Sequence, residues 1–251
     1  MEYNKKICLC LHGKVGGITG KHMHNDTSNL EVLKLAYDHN KRFILNQYDV
    51  DVFIHSWSAD LADEIVDIYN PLRHHIEEQI EFDVPPYIKS SYDRAFAHLS
   101  RWYSFAEVVD MVDEYVQISK REDEIIEYDH VIVQRFDLCW NVTPDFESMD
   151  SKYIWVGNST LNSNNEWSDR WFSSNLGNML KFSKLFDMMP EYMQGPLPSS
   201  VQYGGISSHK LSKFHADNVG LEAKFKYNFG GYSQKPNHYN EVRRQYYGDE
   251  K

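Results

Sequence analysis

An arginine and an aspartate follow a short apolar run near the middle of the chain. The segment reads EYDHVIVQRFDLCW over residues 127–140, with Arg135 and Asp137 directly after the run. Their i, i+2 spacing places both side chains on one face of an extended segment. Because burying an unpaired charge is costly, the two either pair as scaffold groups or hold a cation or an anionic ligand. A carboxylate can bind a divalent cation that bridges phosphate oxygens, and a guanidinium can hold a phosphate directly.

A glycine-rich segment, HGKVGGITGK at residues 12–21, follows the first apolar run of the chain. It is not a P-loop, because Val15 stands where the first glycine is required and His22 stands where Ser or Thr is required. The G-x-G-x-x-G spacing is absent as well. The segment is either a plain mobile loop or a turn whose backbone approaches a ligand closely. Its candidate ligand-binding residues are His12, Gly13, Lys14, Gly16 and Gly17.

A third segment, NNEWSDRWFSSN at residues 164–175, combines a carboxylate with aromatic residues. The pattern predicts the start of a helix, with Ser168 or Asp169 as its N-cap. Aromatic rings beside a carboxylate also suit sugars, since the rings stack on the apolar face and the acid accepts hydroxyl hydrogen bonds. Asp169 can therefore be a cap, a ligand-binding group or both.

The twelve histidines contain no recognised zinc spacing. His74 and His75 are expected to be solvated. One histidine from the segment 209–215 could still complete a site around Asp137.

Apolar runs alternate with amphipathic stretches along the chain. This alternation predicts an α/β fold with a mostly parallel sheet flanked by helices. Ligands in such sheets bind at the carboxyl ends of the strands, where three polar pairs are expected to meet: His12 with Gly13, His55 with Ser56, and Arg135 with Asp137. Strands are predicted at 5–13, 50–57, 64–71, 130–133 and 152–158, and helices at 30–46, 92–121, 169–190 and 209–218.

The amino-acid composition limits the classes of protein to which the chain can belong. The chain has 251 residues and a net charge of −11, which disfavours a nucleic-acid-binding protein. Three cysteines, an odd and sparse set, favour a reducing compartment. No apolar stretch approaches 18 residues, so a cytoplasmic protein without a transmembrane segment is expected.

The order of these segments resembles that of small GT-A-type glycosyltransferases from bacterial polysaccharide-synthesis clusters and from large-genome phages and viruses. The resemblance spans most of residues 5–222, and an R-F-D stretch stands in place of the D-x-D of many GT-A enzymes. It is carried by the segments DVFIHSW, HLSRWYSFAEVVDMVDEY, YDHVIVQRFDL, SDRWFSSNLGNMLKFSKLF and SSHKLSKFHADNVGL.

The resemblance implies a Rossmann-like GT-A fold and transfer of a sugar from a nucleotide sugar, such as a UDP-sugar or GDP-sugar, to a hydroxyl of a glycan or glycoconjugate. It implies that the loop at residues 11–17 receives the nucleotide and that Ser56 and Trp57 lie near its base or ribose. Arg101 and Ser104 would face the site from the long helix. Remaining roles follow the same resemblance: Asp137 would bind Mn²⁺, Mg²⁺ or the donor sugar beside Arg135, and Asp169 would act on the acceptor side as the base.

The expected organisation is one domain over residues 1–251, with a nucleotide-binding half at 1–145, an acceptor-side half at 146–232 and a polar tail at 233–251. Two other hypotheses stay open at this stage. One is a non-catalytic carbohydrate-binding or glycan-assembly protein, since D-x-D is missing. The other is a kinase or sulfotransferase, which the failed P-loop spacing disfavours.

Overall fold

A computed structural model of the chain describes residues 5–17, 29–84, 92–159, 166–194, 207–230 and 237–247. The strands are β1 Lys6–Gly13, β2 Asp49–Ser56, β3 Arg73–Ile76, β4 His130–Arg135, β5 Leu138–Trp140, β6 Ile154–Asn158, β7 Trp171–Ser174, β8 Ala223–Asn228 and β9 Tyr239–Glu241. The α-helices are α1 Leu30–Asn40, α2 Ala62–Tyr69, α3 Tyr92–Arg121, α4 Leu176–Ser183, α5 Leu185–Gln194 and α6 Ser208–Asn218, with π-helical turns at Lys41–Leu45 and Arg243–Tyr247.

Seven strands form the central sheet in the order β3-β2-β1-β4-β7-β6-β8. The four strands β3, β2, β1 and β4 are mutually parallel, β7 is antiparallel to both of its neighbours, and β6 is parallel to β8. The predicted α/β class and its mostly parallel sheet are therefore confirmed. Strands β5 and β9 form a separate antiparallel pair.

Alternation along β1 divides the core into two apolar layers, one on each face of the sheet. Leu9 and Leu11 belong to the layer that α1 and α2 cover, and Cys8 and Cys10 belong to the layer that α3 and α4 cover. Successive residues of a strand point to opposite faces, so helices are needed on both sides. The cysteines of the chain are buried and free, and Cys8 Sγ lies 3.5 Å from Cys10 Sγ.

The strand predicted at residues 64–71 is wrong. These residues form α2, which buries Ile65 and Tyr69 one turn apart. Asn70 ends the helix in a left-handed conformation (φ 43°), and its backbone N–H donates to Val66 O at 2.8 Å. The Asn-Pro pair at residues 70–71 was a helix-stop signal beside an apolar run that suggested a strand.

The helix predicted over residues 169–190 is only partly right. Its first part is the strand β7, which is buried on both faces between β4 and β6. Asn175, and neither Ser168 nor Asp169, caps the helix that follows, because its side chain accepts from Asn178 N at 2.9 Å. Pro190 lies inside α5 instead of ending it.

Part of the segment expected as a polar tail is ordered against the domain. Strand β9 pairs with β5, and Glu241 at its end is buried. Within the described residues, no helix combines the length and apolar character needed to cross a membrane.

Candidate functional site

The carboxyl ends of β1, β2 and β4 meet at one edge of the sheet. His12 is the register partner of His55 on one side and of Arg135 on the other, so the three residues stand in one row. A cleft of about 520 Å³ opens at this edge. The polar residues that end these strands therefore lie next to a space large enough for a ligand.

Ten of the twelve predicted site residues line this cleft. Ser56 and Ser104 do not, because both are fully buried beneath its floor. Residues 18–21 of the glycine segment lie outside the described part of the chain. The ten lining residues are His12, Gly13, Lys14, Gly16, Gly17, Trp57, Arg101, Arg135, Asp137 and Asp169.

Gly13 is the anchor of the glycine loop. Its N–H donates to Ser104 Oγ at 2.7 Å, and its carbonyl accepts from Ser56 Oγ at 3.0 Å and from Trp57 N at 3.3 Å. Its φ is +87°, a conformation that favours glycine. Ser56 and Ser104 thus fix the start of the loop, and their role is to position Gly13.

The Arg135 and Asp137 side chains form a two-point ion pair. Arg135 Nε donates to Asp137 Oδ1 at 2.8 Å, and Nη2 donates to the other carboxylate oxygen. Arg135 Nη1 also lies 3.4 Å from Glu241 Oε1, which accepts from Arg170 Nε at 3.0 Å. Arg244 Nε donates to Glu241 Oε2 at 3.0 Å. The strand end therefore holds a buried network of charges.

A second ion pair lies across the cleft. Arg101 Nη1 contacts Asp169 Oδ2 at 2.7 Å, and His209 Nδ1 lies 3.5 Å from Asp169 Oδ1. His209 Nδ1 also lies 2.8 Å from the carbonyl oxygen of Trp167. A carbonyl can only accept, so Nδ1 carries the proton and Nε2 carries the lone pair.

Burial by itself would raise the pKa of Asp169 and of Glu241. The positively charged groups around each acid lower its pKa by more than burial raises it. Arg101, His209, Arg170 and Arg135 hold the pKa of Asp169 far below its ordinary value. In Glu241 the guanidinium groups of Arg135, Arg170 and Arg244 lower the pKa to about 2. Both acids are therefore ionised at neutral pH, and Asp169 is a weak base.

The cleft has a charge balance opposite to that of the chain. Of the described residues, four cationic side chains and three carboxylates line it, whereas the whole chain carries a net charge of −11. Fixed cations in a partly buried cleft attract anionic ligands. These lining residues are Lys14, Arg101, Arg135 and Arg243 against Asp137, Asp169 and Glu241.

His12 supplies a neutral polar group between the two ion pairs. Burial, followed by the charges of Arg101 and Arg135, holds the pKa of His12 well below its ordinary value. Among the described residues, His12 Nδ1 and Arg101 Nε are buried atoms without a hydrogen-bond partner. Two other such atoms, Trp102 Nε1 and Trp171 Nε1, lie in the core, so His12 and Arg101 are the two that line the cleft.

The surroundings of Asp137 do not favour a divalent cation. Both oxygens of its carboxylate already accept from Arg135, and this guanidinium would repel a second cation. In the described part of the chain, the one grouping of three or more potential metal-binding side chains is His55, His75 and Glu77, which lies outside the cleft.

Sequence reasoning missed Glu241 and did not give a role to Arg170 or Arg243. Glu241 carries no local signal, because it is a single acid in a polar segment and two of its three arginine partners, Arg135 and Arg170, are 106 and 71 residues away. His209 was foreseen only as one member of the segment 209–215.

No protein-family model matches this chain, and no curated protein matches its sequence. Among solved structures, the chain is similar to a crystal structure from Desulfovibrio desulfuricans G20 named a "putative nucleotide-diphospho-sugar transferase". The match has a TM-score of 0.41 and 12% sequence identity, and it covers 95% of this chain and 82% of that chain. Similarity of this degree assigns neither a substrate nor a residue role.

Proposed function

We propose that this chain is a glycosyltransferase that moves a sugar from a nucleotide-sugar donor to a hydroxyl of a glycan or glycoconjugate. The observation that carries the proposal is the cleft at the carboxyl ends of β1, β2 and β4, where four fixed cations line a site in an acidic protein. The resemblance of the ordered sequence segments to GT-A-type enzymes points the same way.

Donor binding is assigned to the glycine loop and the cationic groups beside it. Gly16 lies against Asp137, since a Cβ on this glycine would stand 3.5 Å from Asp137 Cβ. The loop backbone and Lys14 are therefore close to the Arg135–Asp137 pair and can contact a diphosphate together with it. Trp57, which stacks with Tyr103 at 5.5 Å between ring centroids, forms an aromatic wall for the base or ribose.

Charge stabilisation is assigned to Arg135 and Arg101. The diphosphate leaving group gains negative charge as the bond to the sugar breaks. Fixed guanidinium groups stabilise this charge more in the transition state than in the ground state, which accelerates the reaction. The acids that hold Arg135 and Arg101 in place, Asp137 and Asp169, keep them oriented before the donor binds.

We assign the role of proton acceptor to His209 instead of Asp169. The lowered pKa of Asp169 makes its carboxylate a poor base. His209 lines the same cleft, and its Nδ1–H faces Trp167 O and the Asp169 carboxylate. This arrangement leaves the Nε2 lone pair to take the acceptor hydroxyl proton, with Asp169 orienting the ring.

The Mn²⁺ or Mg²⁺ expected beside Asp137 stays a prediction. The ion pair with Arg135 weighs against it, so no step of the proposed reaction depends on a metal. Comparing donor turnover after exhaustive chelation and after adding back Mn²⁺ measures any contribution of this cation.

The first test is ligand-dependent thermal unfolding of the whole chain with UDP, GDP and dTDP. A ligand that binds only the folded state at 100 times its Kd stabilises it by about 2.7 kcal/mol. We expect a clear rise in Tm with at least one nucleotide, and a smaller rise in Arg135→Met. Asp67→Asn is the control, because Asp67 is exposed on α2 and does not line the cleft. No rise with any of the three would contradict donor binding.

A non-catalytic carbohydrate-binding protein is the second candidate. It is favoured by one observation, that both carboxylates predicted to do chemistry are held in ion pairs. Transfer or hydrolysis of a nucleotide sugar separates the two functions. A transferase loses turnover in His209→Ala while keeping nucleotide binding, whereas a binding protein shows no turnover in the unmodified chain.

A further inference from the structure

A second cluster of polar side chains lies at the ends of β2 and β3, outside the cleft. His55 and His75 are register partners in these adjacent parallel strands. Glu77 follows His75 by two residues, the spacing that places both side chains on one face of an extended segment. The ligand atoms of the three residues all lie within 4.8 Å of one another.

The distances within this cluster suit a single bound ion. His55 Nε2 lies 3.3 Å from Glu77 Oε1, and His75 Nε2 lies 3.8 Å from Glu77 Oε2. Ligand atoms around a tetrahedral zinc ion, with bonds of about 2.1 Å, stand about 3.4 Å apart. Two imidazoles and one glutamate form a known ligand set for this ion, with one position left for water.

His55 has the backing contact that a metal-binding histidine requires. Its ring is buried, and its Nδ1 lies 2.7 Å from Ser104 Oγ, which directs Nε2 towards Glu77. Such a contact on the second nitrogen fixes the ring orientation of a metal-binding histidine.

The groove beside the cluster provides an access route for a cation. His75 is half exposed, and the groove that it lines has a volume of about 820 Å³. Of the described residues, three carboxylates and one guanidinium line the same groove: Glu107, Asp110 and Glu114, with Arg73 3.5 Å from Glu114. An acidic wall raises the local concentration of cations.

We propose that His55, His75 and Glu77 bind a divalent transition-metal ion, for which Zn²⁺ is the probe. In the tautomer that binds the ion, the single ring proton of His55 is on Nδ1 and is donated to Ser104 Oγ, so the Nε2 lone pair is available to the ion. Ser104 Oγ also accepts the N–H of Gly13. A metal ion on His55 would therefore hold Ser104 in place and, through it, the start of the glycine loop. The site is structural, and it does not depend on the function proposed for the cleft.

The test is calorimetric titration of metal-free, untagged protein with Zn²⁺ and without nucleotide. The comparison is made between the unmodified chain and the variants His75→Ala and Glu77→Gln. Each variant is expected to lose one equivalent of bound Zn²⁺ or to bind it at least tenfold more weakly, and to lose the Zn²⁺-dependent rise in Tm. His75 is half exposed, so its variant is expected to fold.

Two controls separate this site from others. His74→Ala removes the neighbouring histidine that is not part of the cluster, and Asp137→Asn removes the carboxylate in the cleft. Both are expected to keep the full stoichiometry and affinity. The proposal is overturned if His75→Ala and Glu77→Gln bind Zn²⁺ as the unmodified chain does, or if that chain binds none.

Discussion

The two walls of the cleft are held together by different forces. On the neutral wall, Gly13 lines the cleft, and the hydroxyl groups of Ser56 and Ser104 beneath it satisfy the backbone at the end of β1. On the charged wall, Arg135 and Glu241 belong to a network of buried ions. Ser56 is the register partner of Gly13 in the adjacent strand, and Ser104 reaches Gly13 from α3. On the charged wall, Arg135 and Arg170 share Glu241, and removing this shared partner leaves buried charge without compensation.

This difference predicts which substitutions around the cleft destabilise the fold most. A neutral hydrogen bond contributes modestly to the free energy of unfolding, and its loss mainly affects the structure around the group left unsatisfied. A buried charge whose partner is removed destabilises the fold more strongly and in a pH-dependent way. Substitutions on the two walls should therefore differ in size and in pH dependence.

The largest effect is expected from Glu241→Gln on the charged wall. The variant leaves Arg135, Arg170 and Arg244 without their shared anion, and we expect the free energy of unfolding to fall by about 3 kcal/mol at pH 7. Urea unfolding measures this. The control is Glu222→Gln, whose carboxylate pairs with Lys224 at an exposed site and should change stability little. If both variants change the free energy of unfolding equally, the network around Glu241 does not stabilise the fold.

The same substitution makes a prediction about pH. The folded-state pKa of Glu241 is lowered from an ordinary 4.5 to about 2, so its stabilisation is complete above about pH 4.5 and is lost as the pH falls through 2. The stability difference between the unmodified chain and Glu241→Gln should therefore shrink from pH 5 to pH 2. Urea unfolding across this range checks it, and a difference that stays constant would contradict the assignment.

A smaller effect is expected from Ser104→Ala on the neutral wall. The variant removes the acceptor of Gly13 N–H and the partner of His55 Nδ1, which should lower the free energy of unfolding by about 2 kcal/mol. Ser183→Ala is the control, because its buried hydroxyl donates only to Leu180 O in its own helix. Hydrogen exchange at Gly13 should accelerate in Ser104→Ala alone. Unchanged protection there would show that Ser104 does not anchor the loop.

The smallest effect is expected from Gly13→Ala. A Cβ at Gly13 would meet nothing within 4 Å, so the variant tests only the positive φ, with a loss of about 1 kcal/mol. Gly177→Ala is the control, and it is expected to raise the free energy of unfolding. It lies in α4, where alanine is favoured and a Cβ would make an ordinary 3.5 Å contact with Asn175, so a gain of about 0.5 kcal/mol is expected. Thermal unfolding of both variants measures the difference.

Local pattern was enough for the strand ends at Gly13 and Ser56 and for the parallel core of the sheet, but not for the contact of Ser104 with Gly13. The apolar runs that became β1, β2, β4 and β6 were visible in the sequence, and so were the polar residues that end the first three. Strand order then brings those ends together, because parallel neighbours present their carboxyl ends at one edge. The fold class followed from the same alternation of strands and helices.

The charged wall could be predicted only in part. The Arg135–Asp137 pair is local and was one of the two alternatives for these residues, whereas the pairing of Arg101 with Asp169 depends on tertiary contacts. Glu241 was missed because β9 is three residues long and is ordered by pairing with β5, not by its own composition. The start of the helix at residue 169 was misplaced for a similar reason, since β7 is specified by neighbouring strands that a local window does not include.

The distance along the chain between Arg135 and Glu241 has a consequence for synthesis. The two residues are 106 positions apart, and ribosomes add about 5 to 20 residues per second. Arg135 and its neighbour Asp137 therefore leave the ribosome about 5 to 20 s before Glu241, the carboxylate that Arg135 shares with Arg170. During this interval β5 has no partner strand, and the nascent chain carries an incomplete charge array on a sheet whose first strands have already emerged.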